Sequence, residues 1–215
     1  MDVVAPTSLG PGRLVIAAAE QPRAILWLGH GAGGGIGAVD LAALAAQLPR
    51  LGITVARYEQ PWRVAGRRVA PRPATLDVAW NETAPLVAQI ADGFPVVTGG
   101  RSAGARVAVR TAASVSAVAV VCLAFPLHPP GHPEKSRLNE LLVPRVPVLV
   151  LQGDRDTFGT AAALAADLGP QSRIRVVAVP GADHSMKVLA SSPLNARAVA
   201  DLVASSVAAF IGDIV

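Results

Sequence analysis

The sequence of 215 residues predicts an α/β protein with a mostly parallel, doubly wound sheet and helices on both faces. Short apolar runs rich in valine, isoleucine and leucine alternate along the chain with longer alanine-rich segments of helical spacing. Continuous apolar runs bounded by glycine and proline are typical of strands that are covered on both faces. Because strands and helices alternate throughout, we expect residues 1–215 to form one domain around one sheet.

The individual elements follow from these runs in chain order. Strands are predicted at residues 13–18, 24–28, 53–58, 95–99, 118–125, 146–153 and 174–179, with a turn at EQPR between the first two. Helices are predicted at 39–51, 75–91, 102–113, 159–168 and 194–211. Before the last helix, SSPLN offers a serine as N-cap and a proline in the first turn. The connection from 118–125 to 146–153 is too short for a lid domain, so we expect none.

The charge distribution argues against nucleic-acid binding. The formal net charge is +4 and the isoelectric point is about 10.2. The one local cluster holds Arg63, Arg67, Arg68 and Arg72, with neither the interleaved aromatic residues nor the recognised module of a nucleic-acid-binding protein. We interpret the cluster as part of a solvated loop. Two alternative interpretations are a rim that attracts anionic substrates and a mobile flap over the same edge of the sheet.

Cysteine usage and the chain start predict a cytoplasmic protein with no membrane partner. Cys122 is the only cysteine, so no internal disulfide can form, and its apolar surroundings predict a buried, unreactive thiol. The first residues, MDVVAPTSLGPG, contain no basic segment and no apolar run of signal-peptide length. The longest apolar stretch, near 115–127, contains a proline and is too short to span a bilayer.

Ser102 is the candidate nucleophile. It lies in GGRSAGAR, residues 99–106, between a predicted strand and a predicted helix. Gly100 and Gly104 flank it with the G-x-S-x-G spacing of a nucleophile elbow, a sharp turn that leaves room only for small neighbours. Ligands of open parallel sheets bind beyond the carboxyl ends of the strands, where this turn lies. The helix N-terminus that follows favours negative charge nearby.

A glycine-rich loop, WLGHGAGGG at residues 27–35, ends another predicted strand. As a dinucleotide cradle it lacks a following G-K-[ST], and its acidic ribose partner is at best Glu59, so no cofactor is expected. The alternative is an oxyanion loop whose amides face the serine. Ala32 is then the first donor and Gly33 the next, and Ala103 supplies the amide after the nucleophile. His30 is expected to make structural hydrogen bonds and to line the pocket.

An acid and a histidine complete the candidate constellation. Asp156 follows the strand in VLVLQGDRDTFG, and His184 follows the last strand in PGADHSMK. The chain order serine, acid, histidine, each after a different strand, is that of an α/β-hydrolase triad. Asp154 is the reserve for Asp156, and either aspartate has the alternative role of capping the helix near Gly159.

Further side chains at the same edge are candidates for the substrate pocket. Histidines in HPPGH suggest a metal pair, but no cysteine or carboxylate pair accompanies them, so we expect no metal site. With His30, the candidates for the pocket are Trp62, Arg101, Phe125, His128, Phe158 and Met186.

The segments GHGAGGG, YEQPW, GGRSAGAR, FPLHPPGHPEK, LQGDRDTFG and GADHS together resemble small lidless α/β-hydrolases related to Tex30-like and KANL3-like proteins and to dienelactone hydrolases. The similarity spans roughly residues 12–212 and implies a triad of Ser102, Asp156 and His184. Dienelactone hydrolases carry a cysteine where this chain has Ser102, so their lactone substrate is not carried over.

The residues and the resemblance together predict a serine esterase. We expect it to cleave small or short-chain carboxylic esters through an acyl-enzyme intermediate, with a small acyl ester as its partner. Thioester hydrolysis or acyl transfer would use the same residues. A non-catalytic scaffold remains the alternative from another class, because a fold does not establish a function. The oligomeric state is left open.

Overall fold

The computed structural model describes residues 1–170 and 173–215, which form an eight-stranded sheet flanked by helices. The strands are β1 (Asp2–Ala5), β2 (Gly12–Ala17), β3 (Ala24–Gly29), β4 (Ile53–Glu59), β5 (Val96–Arg101), β6 (Ala119–Leu123), β7 (Val148–Gly153) and β8 (Ile174–Val179). The helices are α1 (Val39–Gln47), α2 (Pro61–Val64), α3 (Pro73–Ala91), α4 (Ala103–Thr111), α5 (Leu138–Leu141), α6 (Ala161–Leu168) and α7 (Ala196–Gly212). A short 3-10 turn, Leu48–Leu51, extends α1.

The strand order places a crevice where a ligand can bind. The order is β1-β2-β4-β3-β5-β6-β7-β8, and β2 runs antiparallel to both of its neighbours while all other pairs are parallel. After β3 the chain moves to β4 on one side, whereas after β5 it moves to β6 on the other side. Such a reversal leaves a crevice at the carboxyl ends of β3 and β5.

Helices cover both faces of the sheet, because successive side chains of each strand point to opposite faces. In β3, Leu26 and Leu28 pack with residues of α1 and α7, whereas Ile25 and Trp27 face α3. On that second face the α4 and α6 residues form a further apolar cluster. Because both faces of the central strands are buried, these strands are continuous apolar runs, as the sequence predicted.

Each predicted strand and helix forms, and three short elements were missed. These are β1, α2 and α5, all four residues long. The expected serine N-cap of the last helix is corrected: Asn195 is the N-cap, and its side chain accepts a hydrogen bond from the amide of Ala198. The serine and proline before it lie outside the helix.

The connection between β6 and β7 holds only α5 and turns, so no lid covers the sheet edge there. Among the described residues, no helix is long and apolar enough to cross a membrane.

Candidate active site

Ser102 lies at the turn from β5 to α4 in a strained backbone conformation. Its φ is 52° and its ψ is −109°, and a positive φ is uncommon for any residue except glycine. Its amide donates to the carbonyl oxygen of Leu123 over 3.0 Å, which ties the turn to β6. The strain therefore occurs at the residue that the sequence singled out as nucleophile.

Close packing between β3 and this turn explains the two flanking glycines. A Cβ on Gly100 would lie 2.6 Å from the carbonyl oxygen of Gly29, and one on Gly104 would overlap the backbone of Gly29. Any larger residue would force the turn away from β3. Both glycines thus let the backbone of β3 approach the serine closely.

His184 bridges Ser102 and Asp156. Its Nε2 is 2.9 Å from the Oγ of Ser102, and its Nδ1 is 2.8 Å from Oδ2 and 3.0 Å from Oδ1 of Asp156. Since a carboxylate only accepts, these contacts assign the proton to Nδ1 and leave Nε2 able to accept the serine proton. The Phe158 ring stacks on the imidazole with 4.1 Å between ring centroids.

Asp156 is held by neutral donors in the protein interior. Its side chain is fully buried. The Nε2 of Gln152 lies 3.0 Å from Oδ2, and the amide of Phe158 donates to Oδ1 over 2.8 Å. Gln152 was not among the predicted site residues, although a glutamine near the end of the apolar strand VLVLQG is a signal that could have revealed it. These donors fix the carboxylate of Asp156 where it can orient the imidazole.

The other acids near the site have structural contacts. Asp154 accepts a hydrogen bond from the amide of Gly181, and Asp183 accepts from the amides of Ser185 and Lys187. Helix α6 is capped by Thr160, so neither Asp154 nor Asp156 has the alternative capping role.

A small pocket adjoins the serine turn and is lined by two of the three residues that were expected as oxyanion donors. Ala32 and Ala103 line it together with Trp62 of α2 and Trp80 of α3, and its volume of about 10 Å³ has room for a group of about the size of one water molecule. His30 also lines it, whereas Gly33 does not. A carbonyl oxygen between Ala32 and Ala103 would place its substituent against an apolar wall.

His30 joins the β3 loop to the segment after β4. Its Nδ1 is 2.9 Å from the carbonyl oxygen of Gly31, and its Nε2 accepts from the amide of Gln60 over 3.2 Å. Burial lowers the pKa of His30, with the Gly31 hydrogen bond and the charge of Glu59 opposing that effect. A neutral imidazole that donates from one nitrogen and accepts at the other fits both contacts, as the structural role of this residue requires.

Besides Phe158, four residues that were expected in the pocket do not line it. Phe125 is fully buried in the core beside α4 and α6, and Met186 is buried among residues of α1 and α7. Arg101 points to Asp40 and donates to the carbonyl oxygen of His184. His128 is half-buried, and its amide donates to the carbonyl oxygen of Phe158, which places it beside the site but outside the small pocket.

Among the described residues, the other candidate reactive groups form no second centre. Within residues 1–170 and 173–215, no group of three His, Cys, Asp or Glu side chains could hold a metal ion. His132 contacts Glu134 at the surface. Cys122 is fully buried, and burial raises the pKa of its thiol, which disfavours the thiolate.

Comparison with known proteins identifies the family. The model of the family described as "Alpha/beta hydrolase domain" matches residues 22–212. No curated protein sequence matches the chain significantly. The narrower resemblance to Tex30-like, KANL3-like and dienelactone hydrolases stays a prediction.

Solved structures share the fold at low sequence identity. XC6422 from Xanthomonas campestris, a serine hydrolase without lid, has a TM-score of 0.76 at 20% identity, over 95% of this chain and 90% of that chain. Est1E from Butyrivibrio proteoclasticus has a TM-score of 0.71 at 14% identity, over 98% and 99%. A thermostable carboxyl esterase from Bacillus coagulans has a TM-score of 0.73 at 13% identity, over 100% and 98%. These similarities concern the fold.

Proposed function

The chain belongs to the α/β-hydrolase family, and from this membership we propose that it is a serine hydrolase that cleaves small or short-chain carboxylic esters. The observation that carries the proposal is the hydrogen-bonded chain from Ser102 through His184 to buried Asp156. A nucleophilic serine needs a base within hydrogen-bond reach and an acid that orients the base. All three groups are present at one edge of the sheet.

In the proposed mechanism His184 transfers protons and Ser102 forms the covalent bond. Nε2 of His184 takes the hydroxyl proton as Oγ attacks the acyl carbonyl carbon, and the carbonyl electrons move to oxygen. The tetrahedral intermediate collapses, the ester C–O bond breaks, and the alcohol leaves with the proton from His184. Water then attacks the acyl-enzyme with His184 as base, which releases the acid and restores Ser102. Asp156 stays ionised and holds the imidazole in the productive tautomer.

The amides of Ala32 and Ala103 are the proposed oxyanion donors. Support comes from their shared pocket and from the position of Ala103 in the first turn of α4, where backbone amides lack partners within the helix. Removal of one such donor costs on the order of 10²- to 10³-fold in kcat in other serine hydrolases.

The size of the pocket supports a short acyl group. Trp62, Leu76 and Trp80 are all at most 7% exposed and line the pocket together with Ala32 and Ala103. An acyl chain of more than a few carbons would have to displace one of these buried side chains or leave along the open sheet edge. Acetyl and propionyl esters are therefore the preferred substrates in this proposal.

Steady-state hydrolysis of p-nitrophenyl acetate, butyrate and octanoate tests the proposal. We expect the wild type to prefer acetate and Ser102→Ala to lose at least about 10³-fold in kcat. Ser205→Ala on the exposed side of α7 is the matched control. Equal turnover by wild type and Ser102→Ala would contradict the proposal.

Thioester hydrolysis or acyl transfer is a second candidate, and the arginine cluster favours it. None of Arg63, Arg67, Arg68 and Arg72 has an acidic partner within the described residues, and the segment that carries them also contributes Trp62 and Ala70 to the pocket. Unpaired cations beside a site attract anionic substrates, such as thioesters on a phosphate-bearing carrier.

A comparison of acetyl-CoA with its truncated neutral analogue S-acetyl-N-acetylcysteamine tests this candidate. A higher kcat/KM for acetyl-CoA that falls with salt, and that Arg67→Gln/Arg68→Gln abolishes, would favour it. If kcat/KM is equal for both thioesters and well below kcat/KM for p-nitrophenyl acetate, ester hydrolysis stays the proposed function. A wild type that neither turns over nor reacts with a fluorophosphonate would instead favour the non-catalytic scaffold.

A further inference from the structure

Arg101, the residue before Ser102, has its guanidinium inside the protein. Its side chain is 11% exposed, and that of Asp40 in the first turn of α1 is fully buried. Nε of Arg101 lies 3.0 Å from Oδ2 of Asp40. The other oxygen of Asp40 accepts the amide of Leu41 over 2.9 Å. The two charges form a buried ion pair directly beneath the serine turn.

The same guanidinium also reaches the segments that carry the other parts of the site. Its Nη2 donates to the backbone carbonyl oxygen of His184. Its Nη1 would lie 3.7 Å from a Cβ placed on Gly31, in the loop after β3 that precedes Ala32. One side chain thus contacts α1 and the His184 loop and lies near the β3 loop, while its own backbone continues into Ser102.

We propose that Arg101 is a positioning residue: its guanidinium, charge-balanced by Asp40, fixes the backbone of His184 relative to Ser102 so that Nε2 stays within reach of the serine oxygen. This inference rests on the proposed function, because it assigns a role within the same site. It makes the arginine of G-R-S-A-G a support of the base and not a contact of the substrate.

Burying a charged side chain costs free energy. A buried ion pair seldom stabilises a protein more than well-packed apolar residues would, so stability alone does not account for the pair. Arginine carries its charge on a rigid planar fork, so its Nε can lie beside Asp40 while its Nη2 donates to the carbonyl oxygen of His184. Lysine could not span both in this geometry.

Catalysis also requires that the imidazole of His184 is positioned precisely relative to Ser102. The His184 loop connects β8 to α7 and contains one β-bridge, between Ala182 and Val188, and connecting segments of this kind are more mobile than the sheet. A shift of about 1 Å in a reacting group can cost on the order of 10²-fold in rate. A contact from the serine turn to the histidine backbone removes that freedom directly, because donor and nucleophile are adjacent residues.

The test compares Arg101→Lys, the paired change Arg101→Met/Asp40→Leu, and Arg175→Gln as control, since Arg175 forms an exposed ion pair with Asp213. Fluorophosphonate titration counts reactive sites, and kcat and KM for p-nitrophenyl acetate are then expressed per site. We expect kcat per site to fall about 10- to 100-fold in both Arg101 variants, with KM within threefold and the control unchanged. The paired change leaves no unpaired buried charge, so it should fold with a thermal midpoint near that of the wild type.

A second readout does not depend on turnover. The proton on Nδ1 of His184, hydrogen-bonded to Asp156, gives a low-field NMR signal in an ordered site. We expect this signal in the wild type and its broadening or loss in the folded paired variant. An unchanged signal, or unchanged kcat per site in the paired variant, would overturn the positioning role. If the wild type shows the signal but no turnover and no adduct, the proposed function fails, and the signal of the variant still decides the role of Arg101.

Discussion

Asp156 and Asp40 are two buried carboxylates at the same edge of the sheet, and their partners differ in kind. Asp156 is held by the neutral groups Gln152 and the Phe158 amide and faces the imidazole of His184. Asp40 faces the permanent cation of Arg101. Burial raises the pKa of Asp40, and the charge of Arg101 opposes that shift.

The difference shows how one edge supports two electrostatic tasks. A carboxylate among neutral donors can respond to a histidine that gains and loses a proton, because no fixed cation already compensates its charge. A carboxylate paired with arginine is already compensated and serves to hold structure. The two acids should therefore respond differently to substitution.

The largest effect should follow removal of the charge on Asp156. Asp156→Asn keeps the shape but offers the imidazole a neutral partner and can stabilise the wrong tautomer. We expect kcat for p-nitrophenyl acetate to fall about 10³- to 10⁴-fold, as for the equivalent change in other triads, with little loss of stability. Asp167→Asn on the exposed side of α6 should leave kcat unchanged. A loss of less than tenfold would remove the functional distinction between the two acids.

The next effect concerns stability at the other acid. Arg101→Met alone leaves Asp40 buried without a counter-charge, and we expect urea denaturation at pH 7 to show a loss of about 3–5 kcal/mol. Without Arg101, burial raises the pKa of Asp40 further above its unfolded value of 3.8, so the loss should shrink as the pH falls toward that value. Arg175→Met at the surface should change stability by less than about 0.5 kcal/mol. A loss of stability that does not change with pH would mean that lost packing, and not the unpaired charge of Asp40, causes it.

Gln152 offers a way to sharpen the comparison. Gln152→Leu removes a neutral donor to Asp156 and leaves the carbonyl of Gly159 without its 2.7 Å partner. We expect a stability loss of about 1–3 kcal/mol and a fall in kcat of no more than about tenfold, because the Phe158 amide and His184 still hold Asp156. Thermal unfolding and kinetics of the same sample measure both. A kcat loss as large as that of Asp156→Asn would mean that Gln152 controls the charge of the acid.

The smallest effect concerns His30, a buried group kept neutral at this edge. Because its folded pKa lies below 6.5, the unfolded chain binds more protons as the pH falls below 6.5, and stability falls with it. The slope from one group cannot exceed about 1.4 kcal/mol per pH unit. We expect His30→Gln to flatten urea-derived stability below pH 6.5 relative to the wild type. Parallel curves would mean that His30 makes no contribution to the acid sensitivity.

The fold could be predicted from the sequence because burial on both faces leaves a direct trace. The strands β3 and β6 are continuous apolar runs, and the helices between the strands have helical spacing. The missed strand β1 has a half-exposed, four-residue sequence, and it forms through pairing with β2, which no local pattern encodes.

Some residues of the candidate site could be predicted from the sequence and others could not. Ser102, Asp156 and His184 could be found because glycine spacing and chain order reflect the turns at strand ends. Arg101 was predicted to line the pocket, because the sequence could not show that the Asp40 carboxylate lies next to its guanidinium. Gln152 was missed because its partners come together only when β7 and the following loop pack against each other.

The central claim is that Ser102 is a nucleophile activated by His184 and Asp156. Intact-protein mass spectrometry after exposure to a fluorophosphonate, with the labelled peptide identified, tests it most directly. We expect one adduct per chain on Ser102, none in Ser102→Ala, and labelling slowed by several orders of magnitude in His184→Ala. An adduct on another serine, or equal labelling of wild type and His184→Ala, would contradict it.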